Sequence, residues 1–413
     1  MNPACKLGLL ASLYLAQGLP FGFFTQALPV LLRERGLSLA AIGATGLLFL
    51  PWALKFLWAP VVDHTGTRKA WLLGLQGLTV LVALALTAVD LDSGLVAIFI
   101  ALVLFNLLAA TQDVATDGLA VRLLSPTERG LGNGIQVGAY RIGMILGGGL
   151  LLWVFAKGGW STMFLAMAGI LALTCLPVLF LPRVDGGAEP APDRHSGARL
   201  LMAWSERLRV PGVLGFVMLI CMYKFGDAMA SSLVGPFMHD AGLSKEEIAV
   251  VKGTIGSTMG LAGAALGGWM AWYFGRRPAL IACGVLQTAS LLLYVACALE
   301  PGDRHLIYAA STAEHLLGGM ATVALFTLMM DASDPAHAGT DYTLLACAIV
   351  LAGGLSGLAG GVVGDLAGYV GAFALAFLLS GLGCLALVLA VDRGAGPQRL
   401  TAVWPQRRAR GSR

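Results

Sequence analysis

The chain has 413 residues, of which 57% are hydrophobic and only 12% charged, against about 25% charged in an ordinary globular protein. So much apolar surface excludes a soluble fold. The small net charge of +4 sits mainly in tails and short loops, so it reports membrane topology and gives no sign of a nucleic-acid partner.

A bilayer crossing needs roughly 20 apolar residues, and twelve such segments can be marked. They run at about 7–32, 40–62, 70–89, 94–121, 132–156, 161–182, 211–237, 247–274, 278–299, 305–331, 341–363 and 370–391. The predicted fold is an all-α membrane protein with twelve transmembrane helices in two pseudo-symmetric six-helix bundles, 1–182 and 211–393. A polar cytoplasmic linker at 183–210 joins them, and a basic cytoplasmic tail follows at 394–413. The first segment lacks a small-residue cleavage site and reads as an uncleaved span. With the N-terminus inside, 18 of the 27 Lys and Arg residues fall on the cytoplasmic side, which predicts that both termini are cytoplasmic. None of the seven cysteines has CxxC spacing or a His in a ligand pattern, so no metal or cofactor is expected.

Several spans carry polar groups at bilayer depth, where each ionisable side chain costs about 2.5–3.5 kcal/mol on insertion scales. The first span presents Tyr14, Gln17, Phe21 and Phe24 at helical spacing, interrupted by Gly18 and Pro20. Such a break suits either a solute-lining segment or a simple kink. The second span contributes Lys55 between Trp52 and Trp58. On the fourth, Asn106, Asp113 and Asp117 fall on one helical face, with Gln112 adjacent, and the fifth adds Tyr140 and Arg141. At 1.5 Å per residue, Lys55, Asp113 and Arg141 all lie about 12–14 Å from their inner ends. This predicts a buried network of three charges, which serves equally as an ion-paired staple or as a site for an anionic solute. Asp117 is expected nearer the cytoplasm, paired with Arg68 or Arg129 as a gate that also includes Asp63.

The second half places Lys224 and Asp227 three residues apart on the seventh span, and Glu314 and His315 on the tenth. A carboxylate beside a cation in a low-dielectric setting can bind and release a proton. Asp113, Asp227, Glu314 and His315 are therefore the candidates for proton coupling, with a structural ion pair as the alternative.

The halves echo one another. Tyr14 and the Gly36-Leu37-Ser38 loop match Tyr223 and Gly242-Leu243-Ser244, and Gly66-Thr67-Arg68-Lys69 matches Gly275-Arg276-Arg277-Pro278. A parallel repeat of six spans is a transporter signature. Glycines spaced by four, including Gly143 with Gly147 and Gly263 with Gly267, permit close helix crossing. They are expected to pack helices, or to let the fifth and eighth spans meet and slide.

The segment Asp63-His64-Thr65-Gly66-Thr67-Arg68-Lys69 resembles the loop signature of the major facilitator superfamily. Within it, Lys55-Phe56-Leu57-Trp58-Ala59-Pro60, Gln112-Asp113 with Asp117, Glu128-Arg129-Gly130 and Tyr140-Arg141-Ile142-Gly143 resemble the AmpG-like group of muropeptide permeases. The longer strings QGLPFGFFTQALPVLLRERGLSLAAIG and TQDVATDGLAVRLL are most similar to the RhtX and FptX siderophore permease family.

The resemblance implies a proton-driven, single-component importer of the bacterial inner membrane, acting by alternating access. It carries over Lys55, Asp113, Asp117, Tyr140 and Arg141 as functional. The expected solute is a ferric siderophore, with an anhydromuropeptide as the alternative. Both are anionic amphiphiles that would meet Tyr14, Gln17, Phe21, Lys55, Gln112, Asp113, Tyr140, Arg141 and Lys224. The expected partners are that solute, protons and the lipid bilayer, for a protein acting as a monomer. From other classes, Asp113 and Asp117 as a DxxxD pair could serve an intramembrane metal-dependent enzyme, and a channel or receptor without coupling is the second alternative.

Overall fold

In the computed structural model, residues 2–28, 31–32, 50–89, 95–180, 204 and 206–404 are described. Arg33 and Arg35, the Gly36-Leu37-Ser38 member of the repeat, the first part of the second span, most of the linker, and the tail beyond 404 lie outside the described residues. Every regular element among the described residues is helical.

Among the described residues, eight continuous helical stretches are long and apolar enough to cross a membrane. Two of them are double. Arg129–Leu179 turns at Gly159 (φ 74°) and Pro335–Asp392 turns at Gly368 (φ 66°), a left-handed backbone that glycine adopts without a Cβ penalty. Splitting these, and adding the broken second and eighth spans, accounts for the twelve expected crossings. Described helix ends fall within about four residues of their expected positions.

Local chemistry sets several of these ends. Thr67 accepts from the Ala70 amide at 3.2 Å and starts the third span, Arg68–Leu86. Asp303 accepts from the amides of His305 and Leu306 and starts the tenth, Arg304–Ala332. Ser244 and Glu247 form a reciprocal capping box at 2.8 and 3.1 Å before the eighth.

Two compact units result. The first comprises Met1–Leu124, Ile135–Leu201 and Pro335–Thr343, and the second Ser125–Gly134, Met202–Asp334 and Leu344–Arg413. Each unit thus incorporates one short segment from the other half of the sequence.

In the first unit, Leu19, Phe23, Phe24, Phe105 and Phe164 form the apolar core, with Phe23 edge-on to Phe164 at 5.3 Å. The first and fifth spans cross backbone to backbone. A Cβ on Gly18 would collide with the Tyr140 carbonyl, one on Gly143 with the Leu15 carbonyl, and one on Gly147 with the Leu19 carbonyl. Pro20 lies inside the first helix, Pro3–Gly22, and a π-helical turn follows at Phe23–Ala27, packed against a second one at Leu146–Leu150. The pair Gly143 and Gly147 on the fifth span therefore serves the first span, while the expected meeting of the fifth and eighth spans occurs at other glycines. Spacing by four marks a close crossing without naming the partner. In the second unit, Gly263 and Gly267 likewise face Leu316 and Met320 of the tenth span, while Gly130 and Gly134 lie on Gly268 and Ala264.

The second unit's core joins Met229, Phe237, Tyr294 and Phe373. Part of the segment expected as a tail packs within this unit. Residues Gln398–Ala402 form a 3-10 helix, and Leu400 and Trp404 are buried. The Trp404 indole donates to Asp392 at 2.8 Å, and Arg277 holds the same carboxylate through two bonds of 2.7 Å.

Candidate functional site

Lys55 occupies a 3-10 turn, Lys55–Leu57, between the short helices Leu50–Leu54 and Ala59–His64. Pro60, which has no amide hydrogen, stands at the start of the second of these, where none is needed. The turn presents a lysine only 5% exposed to Asp113 of the fourth span, and the two form a hydrogen-bonded ion pair. The Lys55 ammonium also lies 5.3 Å from the Trp52 ring. Trp52, Phe21 and Tyr140 form a triangle of rings with centroids 5.5–6.5 Å apart. Arg141 follows Tyr140 and is half-buried.

One turn inward, Asp117 is 1% exposed and accepts from the Tyr14 hydroxyl at 2.8 Å and from Gln136 Nε2 at 3.2 Å. Tyr342 in turn donates to Gln136 Oε1 at 3.4 Å. The expected pairing of Asp117 with Arg68 or Arg129 is not what forms. Asp117 sits five residues, about 7.5 Å, up the helix from Arg122, level with neutral donors, while both arginines are engaged by other aspartates. Gln17 donates to Thr116 Oγ1 at 3.0 Å. Gln17 Oε1 and Gln112 Nε2 are buried without a hydrogen-bond partner among the described residues. Both carboxylates of the DxxxD pair thus receive hydrogen-bond donors, an environment that suits charge pairing better than cation ligation.

The arginines build two further clusters. In the first unit, Asp63 pairs with Arg68, which also donates to the Val62 carbonyl at 2.9 Å. Asp63 also accepts from the Gly339 amide at 3.1 Å and from both the amide and hydroxyl of Thr340 at 2.5 Å, with Arg122 at 3.7 Å. An aspartate at this helix start complements the helix dipole, worth about 0.3–2 kcal/mol. In the second unit, Asp331 takes Arg129 at 2.8 Å and Arg276 at 2.6 Å, and Arg276 also donates to the carbonyls of Ala271 and Pro126. The repeat is visible here. Arg68 and Arg276 each open a helix after a positive-φ glycine, Gly66 or Gly275, one residue out of the register the sequence suggested.

Also in the second unit, Lys224 reaches Asp227 Oδ2 at 2.5 Å and Thr322 Oγ1 at 3.3 Å. His315 Nδ1 lies 2.8 Å from both the Ser311 carbonyl and Glu314 Oε2, and only the carbonyl meets it with hydrogen-bond geometry. The structure brings together Lys55 with Asp113, Tyr14 with Asp117, Lys224 with Asp227, and Glu314 with His315. Sequence reasoning missed Gln136, Tyr342, Thr340, Asp331, Gln287, Tyr294 and Ser311. For Gln136 and Gln287, polar amides inside apolar spans, the depth argument applied to charges could have been extended.

Comparison with known proteins agrees with this architecture. The model of the Major Facilitator Superfamily matches residues 10–265 and 221–410. The anhydromuropeptide permease of Escherichia coli strain K12 is 30% identical over 350 residues, covering 83% of this chain and 70% of that protein. A Haemophilus influenzae protein is 30% identical over 356 residues, covering 83% and 84%. The human organic anion transporter MFSD10 shares the fold, with a TM-score of 0.73 at 16% identity over 94% of this chain and 100% of that one. These relatives favour the muropeptide side of the expected group over the siderophore side. The chain belongs to the Major Facilitator Superfamily, as a multi-pass membrane transporter of the AmpG-like group.

Proposed function

We propose that this transporter imports an anhydromuropeptide-class solute, an anionic sugar peptide, across the bacterial inner membrane by proton-driven alternating access, as a monomer with both termini in the cytoplasm. The observation that carries the reading is the buried Lys55–Asp113 pair set against the Phe21, Trp52 and Tyr140 rings. The rings offer flat apolar faces to a sugar. Lys55 and the Arg141 that follows Tyr140 supply the cations for a carboxylate-bearing ligand. The unmet amide groups of Gln17 and Gln112 suit hydroxyl and amide groups of the same ligand, since a buried polar atom without a partner costs about 1–3 kcal/mol. Tyr14 and Asp117 back this surface, and Lys224 is the counterpart cation of the second unit.

The gating role belongs to the two aspartate and arginine clusters, Asp63 with Arg68 and Asp331 with Arg129 and Arg276. Each holds a segment exchanged from the other half of the sequence, so opening requires those bonds to break.

Expression in an Escherichia coli strain lacking its anhydromuropeptide permease tests the solute. The expected result is restored intracellular anhydromuropeptide, measured by mass spectrometry. Uptake of ferric pyochelin with no recovery of anhydromuropeptide would replace this reading with siderophore import.

A further inference from the structure

In the second unit the chain turns back on itself after the twelfth span. The helix that ends at Asp392 is closed by Gly394 (φ 84°), with the Ala395 amide donating to the Ala390 carbonyl at 2.9 Å, a left-handed finish that glycine adopts without a Cβ penalty. Gly396 (φ 104°) adds a second such turn, and Pro397 leads into the 3-10 helix Gln398–Ala402. The Gly396 carbonyl lies against Gly212, which precedes the seventh span, Val213–Asp240, and where a Cβ would collide with it. Leu400 and Trp404 are buried. Residues 394–404 thus form a strap over the ends of several spans of this unit.

The polar contacts of the strap close a ring that includes Asp331. The Trp404 indole donates to Asp392 Oδ1 at 2.8 Å, the same oxygen that Arg277 Nε reaches at 2.7 Å, and Arg277 Nη2 takes Oδ2 at 2.7 Å. Arg277 follows Arg276, and together they open the ninth span, Arg276–Leu299. Arg276 in turn donates to Asp331 at 2.6 Å. Three residues beyond Asp331, Asp334 pairs with Arg399 of the strap at 3.2 Å, and the path returns to Trp404. The ring has a strong side and a weak side. The Arg277 fork on Asp392 fixes direction as well as charge. The Arg399 and Asp334 side chains are 50% and 33% exposed, and a pair so open to solvent contributes little by itself. Asp331, only 2% exposed, must seat both Arg129 and Arg276. Such a network keeps its geometry only where the elements that carry it are held.

We propose that the strap 394–404 positions the Asp331 gate: by bridging Asp392 and Asp334 it fixes the first turn of the ninth span against the end of the tenth, which keeps Arg276 on Asp331. Trp404, Arg277 and Arg399 are positioning residues that act through that aspartate. An effect on transport rests on the gating role proposed above, whereas the hold of the strap on Asp331 does not.

The test is amide hydrogen exchange read by mass spectrometry on the full-length protein in lipid nanodiscs, without solute. Trp404→Phe keeps a ring in the buried slot and removes the donor to Asp392. It is expected to speed exchange roughly tenfold at residues 279–284 and 329–333, and to leave 307–313, toward the other end of the tenth span, as in the parent. Arg399→Gln, at an exposed position where folding is not at risk, is expected to give a change of about two- to threefold at 329–333. Asp331→Asn should speed the same two segments, and Trp404→Phe added to it should change them no further, because the strap acts through that aspartate. Faster exchange in Trp404→Phe confined to 392–404, effects of Trp404→Phe and Asp331→Asn that multiply, or parental exchange at 329–333 in both Trp404→Phe and Arg399→Gln each overturns the proposal. In uptake assays Trp404→Phe is expected to raise the maximal rate about threefold with KM unchanged, since an easier opening alters the gate and not the contacts of the solute. Exchange as expected with parental uptake kinetics would remove the gating role and leave the hold of the strap on Asp331 standing.

Discussion

The Tyr14 hydroxyl holds Asp117 at 2.8 Å across 103 positions of sequence, tying the first span to the fourth inside the first unit. Gln136 is the other donor to this carboxyl among the described residues, so removal of the hydroxyl leaves a buried acceptor under-satisfied. Leaving a buried acceptor without its partner costs about 1–3 kcal/mol. Tyr14→Phe is therefore expected to lower the thermal midpoint of the detergent-solubilised protein by several degrees, and Tyr14→Phe with Asp117→Asn to recover part of it. An unchanged midpoint in the single variant contradicts the assignment.

Lys55 and Asp113 stand or fall together. Removing one partner of a buried pair costs about 3–5 kcal/mol, whereas replacing both with apolar residues is often close to neutral. Lys55→Met should be poorly stable. Lys55→Met with Asp113→Leu should be as stable as the parent and still fail to take up solute. Full uptake by the stable double variant would reduce the pair to a structural staple.

Asp63 receives the amides of Gly339 and Thr340, which makes its hold on that helix start directly observable. In Asp63→Asn, amide hydrogen exchange at residues 338–343 should accelerate roughly ten- to a hundredfold. Exchange at residues 276–280 should stay as in the parent, because Arg276 belongs to the Asp331 cluster in the other unit. Equal acceleration in both segments, or none, would argue against two separate clusters.

The crossing of the first and fifth spans depends on the absence of side chains at Gly18 and Gly143. Gly18→Val places a branched side chain on the Tyr140 carbonyl and should abolish recovery of folded protein. Gly149→Ala, a position with open space around it, should be tolerated, with a change within about 0.5 kcal/mol. Loss of both variants would indicate a general intolerance of helix packing rather than this crossing.

Much of the fold was legible in the sequence because membrane spans must be long, apolar and helical. Gly66, Gly275 and the repeated basic residues likewise announced paired loops. The partners of individual charges were less legible. Lys55 with Asp113 followed from equal depth, and Lys224 with Asp227 from helical spacing. Asp117 was misassigned because depth alone favoured an arginine, while the neutral donors Tyr14 and Gln136 carry no charge to attract attention. Asp331 escaped notice because its partners Arg129 and Arg276 come from spans far apart in sequence. The polar group near Gly318 was half seen through Glu314 and Asp227, whereas its uncharged member Gln287 needed three-dimensional proximity to be recognised.

The most direct test of the central claim is uptake of radiolabelled anhydromuropeptide into proteoliposomes under an inward proton gradient. The parent protein should accumulate label well above empty liposomes and lose that accumulation when the gradient is collapsed, and Lys55→Met with Asp113→Leu should remain at background. Accumulation by the parent no greater than in empty liposomes, or parental rates from that double variant, would contradict the account.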